Sequence, residues 1–175
     1  NVRRACPTGI AGLSIEDKQT LPTRRIRDFD DSVMRIRAAR KAIDAEGGDV
    51  LLVGRAEGFI AGKPDLDDVV RRLCAFAEAG ADCLYAPGLT TNDQVAAVVR
   101  AVAPKPVNVL AGKPGFTAAG LAALGVRRIS LGGALARAAW GGFMAAAEEI
   151  AAHGTFENLA HAANGQALNA LMSND

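Results

Sequence analysis

Gly12-Leu-Ser-Ile-Glu-Asp-Lys-Gln19 is a short apolar run that ends on two adjacent acids and continues into a polar connection without glycine. An open, doubly wound sheet usually follows its first strand with a Gly-x-Gly-x-x-Gly loop, whose main-chain amides hold a phosphate. Here that position reads Glu16-Asp17-Lys18-Gln19. Acids at the C-terminal end of a strand are instead what a (β/α)8 barrel needs, because its site is assembled from the residues that close each strand.

Outward from this stretch the same grammar repeats. Val50-Leu-Leu-Val53, Cys83-Leu-Tyr85, Val107-Asn-Val-Leu110 and Val126-Arg-Arg-Ile-Ser-Leu131 are further apolar runs, each followed by turn residues and a helix-period segment. Alternation of this kind signals parallel βαβ units, and short, mostly apolar strands fit a sheet covered by helices. Helix starts agree: Asp65-Leu-Asp-Asp68 places acids at a helix N-terminus, with Asp67 and Asp68 four residues before Arg71 and Arg72 for exposed ion pairs. Thr91 caps a helix whose apolar face is Val95, Val98, Val99 and Val102, and Thr117 opens a short one that ends at Gly125. Thr8-Gly9-Ile10, Ala79-Gly80-Ala81 and Leu124-Gly125-Val126 repeat one joint, a glycine between a helix end and the next strand.

The reading is an α/β fold: five parallel strand–helix units of a partial (β/α)8 TIM barrel over residues 1–154, then a helical tail over 155–175. Ala134 to His153 forms a long alanine-rich helix closed by Gly154, and from Asn164 on the periodicity is lost, as in a packing arm or frayed end. A whole barrel needs roughly 250 residues, so about three units are wanting. The chain opens at Asn1 inside what reads as the tail of a helix, Val2-Arg-Arg-Ala-Cys6, and is expected to continue upstream.

Composition narrows the class of function. Among 175 residues, 20 Lys and Arg face 19 Asp and Glu, so no massed basic surface exists for nucleic acid. Cys6, Cys74 and Cys83 are widely spaced, which fits neither a disulfide frame nor a zinc site and points to a reducing, cytoplasmic compartment. No run is apolar enough to span a bilayer, and no membrane partner is expected.

The residues closing the strands are Glu16 with Asp17, Arg55 with Glu57, Tyr85 before Ala86 and Pro87, Asn108, and Ser130 before Gly132 and Gly133. Glu16 and Asp17 face opposite sides of a strand, so one of them enters the barrel mouth. A carboxylate there either helps to hold a hard cation such as magnesium or caps a helix. Arg55 needs an anion, which is either a substrate carboxylate or Glu57 or Glu16 as an ion pair. Asn108, between two valines, either donates to a substrate oxygen or ties neighbouring strands. Gly132-Gly133 reads as a tight turn or a weak phosphate cradle, and Trp140 as a packing anchor against another surface.

In this order, Gly12-Leu-Ser-Ile-Glu-Asp17, Gly54-Arg-Ala-Glu57, Ala77-Glu-Ala-Gly-Ala-Asp82, Pro106-Val-Asn108 and Gly125-Val-Arg-Arg-Ile-Ser130 resemble the phosphoenolpyruvate mutase/isocitrate lyase family from its fourth barrel strand to its end. The resemblance implies Mg2+ with Glu16 in its shell, and Arg55 reaching a small 2-oxo acid or phosphonate whose enolate is stabilised while a C–C or P–C bond breaks or re-forms. It also implies a homo-oligomer in which the helix after the last strand packs on a neighbour. The family's isocitrate and methylisocitrate lyases carry a Lys-Lys/Arg-Cys-Gly-His type loop after the acidic pair. Here Lys18 to Arg27 has neither Cys nor His, so those two activities are not expected and a phosphonomutase-like lyase or mutase is. The family's other metal-binding aspartates belong to its first three strands. A non-catalytic truncated barrel that serves as an oligomerising or binding module is the alternative.

Overall fold

The computed structural model of the chain describes residues 1–19 and 25–173. The middle of the Lys18–Arg27 stretch, residues 20–24, therefore lies outside the described residues. Contacts divide the chain into two compact units, Asn1–Ser130 and the residues from Leu131 on.

The first unit begins with a helical turn, α1 (Val2–Ala5), and then alternates strand and helix: β1 (Gly12–Glu16), α2 (Phe29–Glu46), β2 (Leu51–Arg55), α3 (Leu66–Glu78), β3 (Cys83–Tyr85), α4 (Asn92–Val102), β4 (Val107–Leu110), α5 (Ala118–Ala123) and β5 (Arg128–Ser130). All four strand pairings are parallel, and the order across the sheet is β1-β2-β3-β4-β5. Every crossover therefore steps to the next place in the same direction. A doubly wound sheet reverses its order at a switch point. The unreversed order is that of consecutive staves of a (β/α)8 barrel, as expected from the strand ends.

Period-two alternation separates the faces of the sheet. Leu52, Leu84, Val107 and Val109 join Ile36 and Ile43 of α2, Leu73 and Phe76 of α3, Val95 and Val98 of α4 and Leu121 of α5 in one core. Val53, Cys83 and Tyr85 form a second, smaller cluster with Leu110 on the opposite face. Helices thus cover one side of the strands and leave the other for side chains that converge on a barrel interior. Gly54 sits on the helix side, where a Cβ would lie 3.0 Å from Phe76 Cβ and 3.2 Å from Ala81 Cβ, so its missing side chain lets α3 approach the sheet.

The local signals act as read. Asp65 accepts from the Asp68 amide, Thr91 and Gln94 form a reciprocal capping box, and Thr117 accepts from the Gly120 amide. The joint glycines Gly80 and Gly125 adopt φ of 103° and 91°, values that a side chain disfavours. Three expectations need correction. Arg71 pairs at 2.8 Å with Asp68, three residues before it, and not with Asp67. β2 runs to Arg55 rather than stopping at Val53, which puts the arginine within the ladder. Arg72 is not an exposed helix partner: its side chain is 9% exposed and reaches from α3 to Asp17.

The second unit comprises α6 (Ala134–His153), a 3-10 turn at Glu157–His161, and α7 (Gly165–Met172). The segment beyond Asn164 is helical rather than a frayed arm, because the Asn164 side chain caps it by accepting from the Ala167 amide. Glu149 of α6 accepts from the Thr155 hydroxyl and from the Glu157 and Asn158 amides, folding the connection back along its own helix. That bond set groups α6 with the tail that was expected to begin at 155. Among the described residues, no helix is long and apolar enough to cross a membrane.

Candidate active site

Strand register sets a single lateral row: Glu16 pairs with Arg55, Arg55 with Tyr85, Tyr85 with Asn108, and Asn108 with Arg128. Residues paired in a parallel ladder share a face, and this row lies on the face turned away from the helices. Each strand contributes one member. Glu16, Arg55 and Asn108, the three site residues read from the sequence, are thereby on one surface.

Arg55 is the centre of the row. Its Nε donates to Glu57 Oε1 at 2.7 Å, its Nη2 lies 3.4 Å from Glu16 Oε2, and its guanidinium carbon stands 5.0 Å from the centre of the Tyr85 ring. Burial works against its charge, but the hydrogen bond and charge of Glu57, followed by Glu16 and Tyr85, raise its pKa further. Burial pushes the Glu57 carboxyl up from the ordinary 4.5, with Arg55 opposing the shift. Arg55 keeps its proton in all ordinary conditions, so on acidification Glu57 is the member that gives way. The Arg55 side chain remains 26% exposed and that of Glu16 40%, against 2% for Glu57. A planar fork held on one edge and open on the other can still meet an incoming carboxylate or phosphonate.

Asn108, 1% exposed, donates from Nδ2 to Ser130 Oγ at 3.0 Å, so it does tie β4 to β5. Its Oδ1 is buried and has no partner among the described residues. A buried acceptor without a donor costs free energy unless a ligand or water supplies one.

Asp17, adjacent to Glu16, turns to the other side and is almost fully buried. Its Oδ1 accepts from the Glu57 amide at 2.8 Å, and its Oδ2 lies 3.4 Å from Arg72 Nη1. Burial raises its pKa, with the Glu57 amide and then Arg72 opposing. Glu16 is therefore the acid of the pair that faces the row.

Could these residues hold a divalent ion? No group of three or more His, Cys, Asp or Glu side chains suited to a metal occurs among the described residues. Magnesium commonly takes only one or two protein carboxylates and completes its octahedron with water and substrate oxygens. Glu16, a partly exposed carboxylate beside the Arg55 guanidinium, fits as one such ligand and not as a whole site.

Asp17, Glu57 and Tyr85 stand among the strand-closing residues read from the sequence without being assigned to the site, and Arg128 is not among them. Glu57 carried a usable signal, since residues two apart near a strand end tend to share a face. Arg128 carried none, because its place in the row depends on a register that spacing does not reveal.

Comparison with known proteins places the chain. The family described as phosphoenolpyruvate phosphomutase matches residues 1–151. A Burkholderia cenocepacia J2315 protein described as a lyase/mutase is 45% identical, with a TM-score of 0.90 over 99% of this chain and 63% of its own. 2,3-Dimethylmalate lyase, a PEP mutase/isocitrate lyase superfamily member, is 25% identical with a TM-score of 0.81, over 97% of this chain and 60% of its own. The oxaloacetate decarboxylase of Bradyrhizobium sp. (strain ORS 278) is 32% identical over 111 residues, which are 58% of this chain and 37% of the decarboxylase. The chain thus spans less than two thirds of each of these relatives. By the match over residues 1–151 and the barrel order of its strands, the chain belongs to the phosphoenolpyruvate phosphomutase family.

Proposed function

We propose that this chain carries strands four to eight of a magnesium-dependent lyase or mutase that acts on a small 2-oxo acid or phosphonate through an enolate. The observation that carries the reading is the row itself: the Arg55 guanidinium lies between the Glu16 carboxylate and the Tyr85 ring, and the next strand beyond Tyr85 brings the unsatisfied amide oxygen of Asn108 to the same face. Arg55 binds the substrate's anionic group through the open edge of its fork and supplies positive charge where the enolate develops. Asn108 orients the substrate by accepting from a hydroxyl or a bound water. Glu16 contributes one ligand to the magnesium ion, which when bound would act as a Lewis acid toward the carbonyl oxygen. The decarboxylase and lyase relatives support the C–C branch of this chemistry, and the family's name supports the P–C branch.

The test is to express the full reading frame and assay oxaloacetate, phosphonopyruvate and 2-methylisocitrate with and without magnesium. Turnover of oxaloacetate or phosphonopyruvate that disappears with chelator is the expected result. Silence on all three substrates from folded protein overturns the reading.

A homo-oligomer is part of the same proposal. Trp140, 62% exposed, meets Phe143 edge-on at 5.3 Å, and Leu135, Met144, Leu171 and Met172 are exposed in the same unit. Apolar surface on that scale favours burial against another subunit, and light scattering that shows a monomer would count against it. The same surface is what favours the second reading, a non-catalytic assembly module, which predicts association without turnover. A cytoplasmic location completes the proposal, supported by three unpaired cysteines.

A further inference from the structure

Arg72 and Asp17 form an ion pair between α3 and the end of β1, and the function proposed above does not use it. Replacing such a pair by apolar side chains is often neutral or better for stability, because desolvation offsets the attraction. Its consequence therefore has to be sought in geometry.

Asp17 has four engaged groups. Its amide donates to Arg55 O at 3.1 Å, its carbonyl accepts from the Arg27 amide at 2.7 Å, its Oδ1 holds the Glu57 amide, and its Oδ2 meets Arg72. Arg72 in turn donates from Nη1 to Arg27 O at 3.1 Å, and its Nε donates to Asp68 Oδ2 at 2.7 Å. Glu57 is consequently gripped at both ends, its main chain by Asp17 and its carboxylate by Arg55 Nε. A main chain held at one end and a carboxylate bonded at the other restrict the Glu57 side chain, and that in turn limits where the Arg55 fork points.

We propose that Asp17 and Arg72 are positioning residues for Arg55: the buried pair fixes the Glu57 main chain, and Glu57 then orients the guanidinium along the row. The inference rests on the reading of Arg55 as the anion-binding group. Asp17 reaches that group only through Glu57 and the ladder, so it acts on orientation and not on substrate.

The experiment uses the full reading frame labelled with 15N-arginine, and follows solvent exchange of the Arg55 Nε–H, identified by its loss in Arg55→Lys. Asp17→Leu removes the acceptor for the Glu57 amide, whereas Asp17→Asn retains one, and Arg72→Met removes the charge that holds Asp17 in place. Asp17→Leu and Arg72→Met are expected to speed exchange by about tenfold or more, the scale of one charge-assisted hydrogen bond, in protein that still folds but melts lower because one buried charge is left unpaired. Asp17→Asn should restore most of the protection. Asp68→Asn, which removes Arg72's other carboxylate and leaves Asp17 intact, should change exchange by less than about twofold.

Unchanged exchange in folded Asp17→Leu or Arg72→Met overturns the proposal. So does failure of both to fold, since the pair would then determine the fold and not the orientation of one side chain. Exchange is read without substrate, so loss of the proposed activity would leave this result standing. In an active enzyme the same variants should raise KM more than they lower kcat, and Asp17→Asn should recover it.

Discussion

Arg55→Met tests the electrostatic core of the row most directly. In the native chain Glu57 is 2% exposed and takes a 2.7 Å hydrogen bond from Arg55 Nε. Removing one partner of a fully buried pair costs roughly 3–5 kcal/mol, because the other charge is left uncompensated. Arg55 is 26% exposed, so water enters part of the space it vacates and the cost falls to about 2–3 kcal/mol. With a urea m-value of about 2 kcal/mol/M, the unfolding midpoint should drop by roughly 1–1.5 M. Two further signatures identify the cause. Glu57 already titrates above its ordinary 4.5, and without Arg55 it should rise further. An acid whose folded pKa is raised binds more protons folded than unfolded, so the variant's deficit should be absent below 4.5 and grow as pH rises through the folded value. The double variant Arg55→Met/Glu57→Leu should recover at least half of the loss, since no buried charge remains. A single variant within about 0.5 kcal/mol of wild type at neutral pH, or a double variant worse than the single, would refute the reasoning.

Three other outcomes follow from the geometry. Gly54→Val places a branched side chain where Phe76 and Ala81 already stand at 3.0 and 3.2 Å, and should destabilise by about 1–3 kcal/mol in urea unfolding while leaving the row's residues unchanged. Thr91→Ala removes a reciprocal cap from α4 and should cost about 1 kcal/mol, read from the same unfolding curves. Hydrogen bonds from the Thr155 hydroxyl and from the Asn158 and Glu157 amides hold Glu149 below the ordinary 4.5. The resulting stabilisation is complete above 4.5 and lost as pH falls through the lowered value, so amide exchange at Glu157 and Asn158 should quicken there, and Glu149→Gln should abolish that dependence.

Strand positions, caps and joint glycines were legible because each is a local signal. Thr91 before an apolar stripe, or glycine between helix and strand, acts through its own neighbours whatever the rest of the chain does. The choice of barrel over open sheet was also legible, in Glu16-Asp17 standing where a phosphate loop would be. Arg55, Glu16 and Asn108 could be nominated as strand ends, but their common level could not, since register is set by pairing between segments some 20 to 40 residues apart. Arg72 shows the same limit most clearly. Its spacing from Asp68 reads as an exposed helix pair, and that pair does form at 2.7 Å. Its second engagement, with an acid 55 positions earlier, turns it inward and is invisible to any local rule.

The split between the two faces of the sheet has a consequence for how this domain tolerates change. In a saturation mutagenesis map scored separately for abundance and for turnover, positions on the two faces should diverge: Leu52, Leu84 and Val109 should deplete alike in both scores, Glu16, 40% exposed, should deplete mainly in the second, and Arg55 and Asn108, which hold buried partners, should deplete in both but further in the second. Such zebra striping means that new substrate preferences can be explored on one side of the sheet without disturbing the packing on the other.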